Sequence, residues 1–117
     1  TPTLTAVAND IDYESVFSFP LERYGEKGDI LICVSSSGNS PNIVKAIKTA
    51  KTLGMITVSF VGFSGGKARD ESDYSIHIPN ENYGVVEDTH HSLMHILAQY
   101  VRIKSLTDED DLGNVVF

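Results

Sequence analysis

The chain has 117 residues, 41% hydrophobic and 21% charged, the composition of one ordinary globular domain with too little Gly and Pro for a disordered chain. Its formal charge of -7 opposes binding to nucleic-acid phosphates, and no basic stripe interleaved with aromatic residues offsets that field. The longest uninterrupted apolar run, Ile30 to Val34, falls far short of the roughly 20 residues of a membrane-spanning helix, and no charged leader precedes a cleavage site, so membrane insertion and export are not expected.

In chain order, Thr3 to Asn9 is β-permissive and ends at Asn9-Asp10; short helical segments follow at Tyr13 to Phe17 and Leu21 to Tyr24. The turn residues Gly25 to Asp29 lead into Ile30-Leu31-Ile32-Cys33-Val34, which lacks polar alternation and predicts a strand buried on both faces. Cys33 is the only cysteine, so it forms no internal disulfide and is read as a small buried hydrophobe, in keeping with a reducing cytoplasm. From Pro41 to Leu53, Ile43, Ala46, Ile47, Ala50 and Leu53 recur at helical spacing, with Lys45, Lys48 and Lys51 on the other side. Ser40 suits the N-cap, Pro41 the first helical position and Gly54 the stop.

Met55 to Phe63, rich in Val, Ile, Thr and Phe, predicts a second buried strand and closes a right-handed βαβ unit. A third strand spans Tyr74 to Ile78, and a long helix starts near Gly84 or Val85 and runs to about Lys104 with the apolar stripe Val86, Leu93, Leu97 and Val101. Residues 1–104 are thus one domain and 105–117 an acidic tail, of which Val115-Val116-Phe117 is expected to dock on a neighbour. A parallel sheet needs cover on both faces, and this length is small for that; a fragment or an obligate oligomer is expected.

The loop Ser35-Ser36-Ser37-Gly38-Asn39-Ser40 joins the first buried strand to a helix N-terminus, where ligands of parallel α/β sheets bind. Free amides and the positive end of the helix dipole suit a phosphate there. Ser35, Ser36, Ser37 and Ser40 add donors without charge, and Gly38 admits close backbone approach. A plain turn with one capping serine is the bland alternative, but four serines exceed what capping needs. The loop carries neither the Gly-Lys-Ser/Thr ending of a P-loop nor a Gly-x-Ser-x-Gly elbow.

The stretch Gly28-Asp29-Ile30-Leu31-Ile32-Cys33-Val34 through Ser40, followed by Asn42-Ile43-Val44-Lys45-Ala46-Ile47, resembles the sugar isomerase (SIS) domain, and within it the phosphoheptose isomerase branch. The likeness extends from Leu4 to Asp10, through Gly62 to Gly66 and Asp73-Tyr74, to about Val101. It implies a three-layer α-β-α sandwich around a parallel sheet, of which this chain would be the carboxy-terminal portion. By the same resemblance Ser35, Ser37 and Ser40 would bind a sugar's phosphate, Ser36 would lie against the sugar, and Asn9 and Asp10 would reach its hydroxyls or its carbonyl end. It also implies further metal and acid/base residues on elements preceding Thr1.

Glu87, His91 and His95 recur every fourth residue, so they spread over about 80° of one helix face. Carboxylate and imidazole are competent zinc ligands, and a His-x-x-x-His pair holds an ion from one side, though two or three ligands leave its sphere unfinished. On the residues alone, His91 is an ordinary solvent or subunit-contact residue and His90 packs near the core. By resemblance Glu87 and His95 match metal-ligand positions, the first usually Gln in the family, while Gly84 stands where the isomerases carry Asp. The expected activity is aldose-ketose isomerisation of sedoheptulose 7-phosphate, with His95 as acid/base or zinc ligand, Glu87 as zinc support and Asp10 orienting hydroxyls. A non-catalytic phosphosugar-sensing or scaffold module, favoured by Gly84 and Glu87, and isomerisation of a different sugar phosphate are the rival readings. A homodimer or homotetramer paired through the long helix is implied as well.

Overall fold

The computed structural model describes residues 2–105. Three strands, β1 (Ile30–Ser35), β2 (Ile56–Val61) and β3 (Tyr74–His77), form one parallel sheet in that order. Helix α3 (Pro41–Thr52) crosses from β1 to β2, and the short α4 (Gly66–Glu71) from β2 to β3. Two earlier helices, α1 (Pro2–Asp10) and α2 (Ser18–Tyr24), flank a 3₁₀ turn at Tyr13–Ser15, and α5 (Tyr83–Ser105) ends the described chain. The expected tail from 107 to 111 and the docking segment Val115 to Phe117 lie outside the described residues.

Alternation along the strands divides the sheet into two unlike faces. On one, Cys33, Val61, Ile47 of α3 and Ala68 of α4 form the core cluster, with Leu31 and Ile43 packed against it. On the other, Ile30, Ile32 and Val34 lie beside Ile56, Val58 and Phe60 in register. Phe60 is fully buried, but Ile30, Ile32 and Val34 are 61%, 51% and 41% exposed. β1 is therefore covered on one face only, not on both as its unbroken apolar run predicts, because only α5 reaches the second face among the described residues and it packs there on β2. The α-β-α layering is complete over β2 and open over β1.

Thr3 to Asn9 belongs to a helix, not to the β-permissive segment expected from Thr3, Thr5 and Val7. The segment has no partner strand; it packs against the 3₁₀ turn beside α3, and Val7 is its one buried residue. The six-residue α4 was not foreseen either, since it begins at Gly66 and is too short to show a helical period. In α5 the buried positions are Val86 and His90; Leu97 and Val101 of the expected stripe are exposed because the helix, about 34 Å long by its residue count, runs past the sheet.

Candidate functional site

The serine loop leaves the carboxyl end of β1 and enters α3. Its form is fixed by its own hydroxyls and by the loop after β2. Gly38 N donates to Ser35 Oγ at 3.2 Å, and Asn39 N donates to Ser37 Oγ at 3.3 Å. Asn39 reaches across the gap, its Oδ1 accepting from Lys67 N at 3.1 Å. Ala68 N donates to Gly38 O and Gly62 N donates to Ser36 O, both at 2.8 Å. Gly38 has φ +66, and a Cβ there would lie 2.0 Å from Gly65 O, so only glycine lets the two loops approach so closely.

Ser40 occupies the N-cap of α3, yet its side chain makes no capping bond; its carbonyl accepts from Ile43 N and Val44 N instead. The Ser40 hydroxyl thus takes no part in the cap. Among the described residues, no hydrogen bond uses the amides of Ser37, Ser40 or Asn42. These amides, the half-buried serine hydroxyls and the positive end of a twelve-residue helix lie around one loop.

Two neighbours complete the surroundings. Lys45, Lys48 and Lys67 line a cavity of about 350 Å³ together with Glu14, Asn39, Pro41 and Val44. Lys45 donates to Ser15 Oγ at 2.7 Å and lies 3.9 Å from Asp12, and Lys48 lies 3.6 Å from Glu71. Lys67, on the unforeseen α4, forms no ion pair among the described residues. Sequence reading missed this role because it saw the lysines of α3 only as its outer side; adjacency of Lys67 to Asn39 depends on how α4 packs.

On the opposite flank, α5 brings Glu87 to the loop, with Ser36 Oγ 3.4 Å from Glu87 Oε1. The approach is set by Gly62, where a Cβ would lie 2.5 Å from a Val86 methyl. After it Phe63 holds φ +50, uncommon for a bulky residue. That conformation is fastened by Phe63 N donating to Asn80 O, by His77 Nε2 donating to Phe63 O at 2.8 Å, and by ring contact with Tyr83.

The structure therefore joins Ser36 to Glu87 and clusters Ser35 through Ser40. Asn9 and Asp10 end α1, where Asn9 Nδ2 donates to Asp10 Oδ1 at 2.7 Å. Neither bonds to the serine loop among the described residues, and the cavity that Asp10 lines with Val7 and Phe19 contains none of the loop. Glu87 and His95 lie eight residues apart on α5, about 12 Å along its axis. They offer an oxygen and a nitrogen donor of the types zinc takes, but no three candidate ligands gather among the described residues. His95 faces His91, their ring centroids 5.1 Å apart. His90 is buried as expected against Phe60, with both ring nitrogens lacking partners.

A family model for the SIS domain matches residues 2–62. The phosphoheptose isomerase of Fusobacterium nucleatum is 42% identical over 98 residues, covering 84% of this chain and 50% of that protein. The Helicobacter pylori (strain P12) phosphoheptose isomerase is 43% identical over 101 residues, covering 86% and 53%. Among solved structures, the phosphoheptose isomerase of Neisseria gonorrhoeae superposes with a TM-score of 0.84 at 30% identity, over 87% of this chain and 57% of that one. That of Francisella tularensis gives 0.81 at 29%, over 84% and 53%. The chain spans about half the length of the curated relatives it matches.

Proposed function

Because the chain belongs to the SIS domain family, we propose that its serine loop holds the phosphate of a phosphorylated sugar, as part of an aldose-ketose isomerase acting on sedoheptulose 7-phosphate. The observation that carries this reading is the conjunction at β1: amides of Ser37, Ser40 and Asn42 unused by the fold, beside a Ser40 hydroxyl released from capping. Backbone amides at a helix N-terminus bind a dianion without needing net positive charge, which matters on a chain of -7. Ser35 and Ser37 already accept from loop amides, which leaves their hydroxyl hydrogens for phosphate oxygens.

Isomerisation moves a proton between adjacent carbons while hydroxyl and carbonyl exchange places through an enediol, so an acid and a base must face the sugar. In this reading Ser36 and Glu87 lie against the sugar, His95 carries a proton or a metal bond, and Asp10 orients hydroxyls. The complementary base belongs to the part of the relatives' length that this chain does not span. Zinc, held by Glu87 and His95 together with ligands from that additional length, would polarise the sugar oxygens. A homo-oligomer and a cytoplasmic location belong to the same proposal. The relatives' isomerase names favour catalysis over a non-catalytic module.

The test is to incubate full-length protein with sedoheptulose 7-phosphate, with and without chelator, and to follow aldoheptose phosphate. Turnover is expected, and slower turnover after chelation. Absence of product in both arms would refute the enzymatic reading.

A further inference from the structure

We infer that His77 is a positioning residue for the serine loop, acting from the end of β3 through the turn that follows β2. That turn is the mould against which the loop sets. Gly62 N donates to Ser36 O and Ala68 N to Gly38 O, both at 2.8 Å, and Lys67 N donates to Asn39 Oδ1 at 3.1 Å. The approach is so close that a Cβ on Gly66 would lie 2.6 Å from Ser37 O. A shift of residues 62–68 is therefore passed on to Ser36, Ser37, Gly38 and Asn39.

The turn is not held by its own conformational preference. Phe63, at φ +50, is a bulky residue in the left-handed region, where a side chain is disfavoured, so contacts from outside must keep it there. Its N–H is anchored by backbone, donating to Asn80 O at 3.0 Å. Its carbonyl is anchored by a side chain. His77 pairs with Val61 in the sheet, and its Nε2 reaches past the end of β2 to Phe63 O at 2.8 Å. A carbonyl only accepts, so Nε2 carries the hydrogen. The His77 side chain is half-buried, which limits the replacement of this bond by one to water. Both polar groups of the left-handed residue are thus fixed from the β3 side, and the His77 bond is the one that a substitution can remove.

The effect on the turn stands by itself, whereas the consequence for ligand binding rests on the phosphosugar reading of the loop, and the two are measured separately. Amide hydrogen exchange of the ligand-free chain compares the wild type with His77→Leu, which lacks a donor, and His77→Gln, whose amide nitrogen offers a donor at similar reach. Circular dichroism checks that each variant folds. The amides of Gly62 and Ala68, which donate to the serine loop, are expected to exchange about threefold to tenfold faster in His77→Leu, the factor for one lost hydrogen bond. His77→Gln should stay close to the wild type, and the β1–β2 ladder should keep its protection in both variants. Isothermal titration with sedoheptulose 7-phosphate should show affinity weakened by the same factor in His77→Leu and restored in His77→Gln. Unchanged exchange at Gly62 and Ala68 in His77→Leu would overturn the inference. So would uniformly faster exchange across the sheet, an equal effect in His77→Gln, or wild-type affinity in His77→Leu. Absence of binding by the wild type, with exchange still faster at Gly62 and Ala68 in His77→Leu alone, would remove the phosphosugar reading and uphold the positioning role.

Discussion

Ser36 and Glu87 are the residues through which loop and helix speak to each other, across 3.4 Å. An ionised carboxylate only accepts hydrogen bonds, so Glu87 draws the Ser36 hydrogen toward itself and places a negative charge beside the proposed phosphate cradle. Glu87→Gln removes that charge and keeps the shape. A unit charge acting across several ångströms of partly wet space is worth on the order of 1 kcal/mol. The variant is therefore expected to bind sedoheptulose 7-phosphate more tightly, by about threefold to tenfold, in isothermal titration. A second residue-scale prediction concerns Asp73, whose Oδ2 accepts from Thr57 N and Thr57 Oγ1, both at 2.8 Å, with Lys51 3.5 Å from its Oδ1. The Thr57 hydrogen bonds, and secondarily Lys51, hold its carboxyl below the usual carboxylate range. Because the folded group binds its proton less readily than the unfolded one, its stabilising contribution is present above about pH 3.9 and is lost as pH falls through the lower folded value. Asp73→Asn is expected to flatten the stability profile at that acid edge, measured by urea denaturation from pH 2 to 6; an unchanged profile would show that the Thr57 bonds do not matter. The place of the serines between β1 and α3 was legible from sequence, because an apolar run precedes them and Pro41 opens the helix after them. The contribution of Lys67 was not, because it depends on a loop crossing.

At the scale of elements, α3, β2, β3 and α5 were readable because apolar spacing and turn residues agreed, with Pro41 and Gly54 bounding α3. The helix α1 was not, since Thr3, Thr5 and Val7 mimic alternation and its helical state comes from packing beside the 3₁₀ turn. The run in β1 reads as doubly buried because it is written for a covered face; the described residues cover only the side holding Cys33. Burial pushes that Cys33 thiol up to about 11, consistent with an unreactive core residue and not with a nucleophile. The docking of α5 rests on Gly62 and Val86. Gly62→Ala places a methyl within reach of Val86 Cγ1 and Cγ2, at 2.5 and 2.7 Å, and of Ser36 O at 3.1 Å. Overpacking of this kind costs about 1 to 3 kcal/mol. The expected result is lower stability together with faster amide exchange over residues 86–90, because the helix must lift from β2.

For the whole molecule, the proposal asks an acidic chain of net charge -7 to gather an anion by local geometry. Its net charge of -7 repels a sugar phosphate at long range, and Lys45 and Lys48 near the loop are themselves beside Asp12 and Glu71, so the loop amides must do most of the holding. The chain spans about half the length of the curated relatives it matches, and among the described residues the sheet is covered on both faces only over β2. The most direct measurement is therefore of binding. Isothermal titration of the chain with sedoheptulose 7-phosphate, repeated on Ser37→Ala, should give saturable binding that weakens about tenfold in the variant, matching loss of a hydrogen bond to a charged group at roughly 1.5 kcal/mol. Equal affinity in both proteins, or no binding by the wild type, would contradict the assignment of the loop.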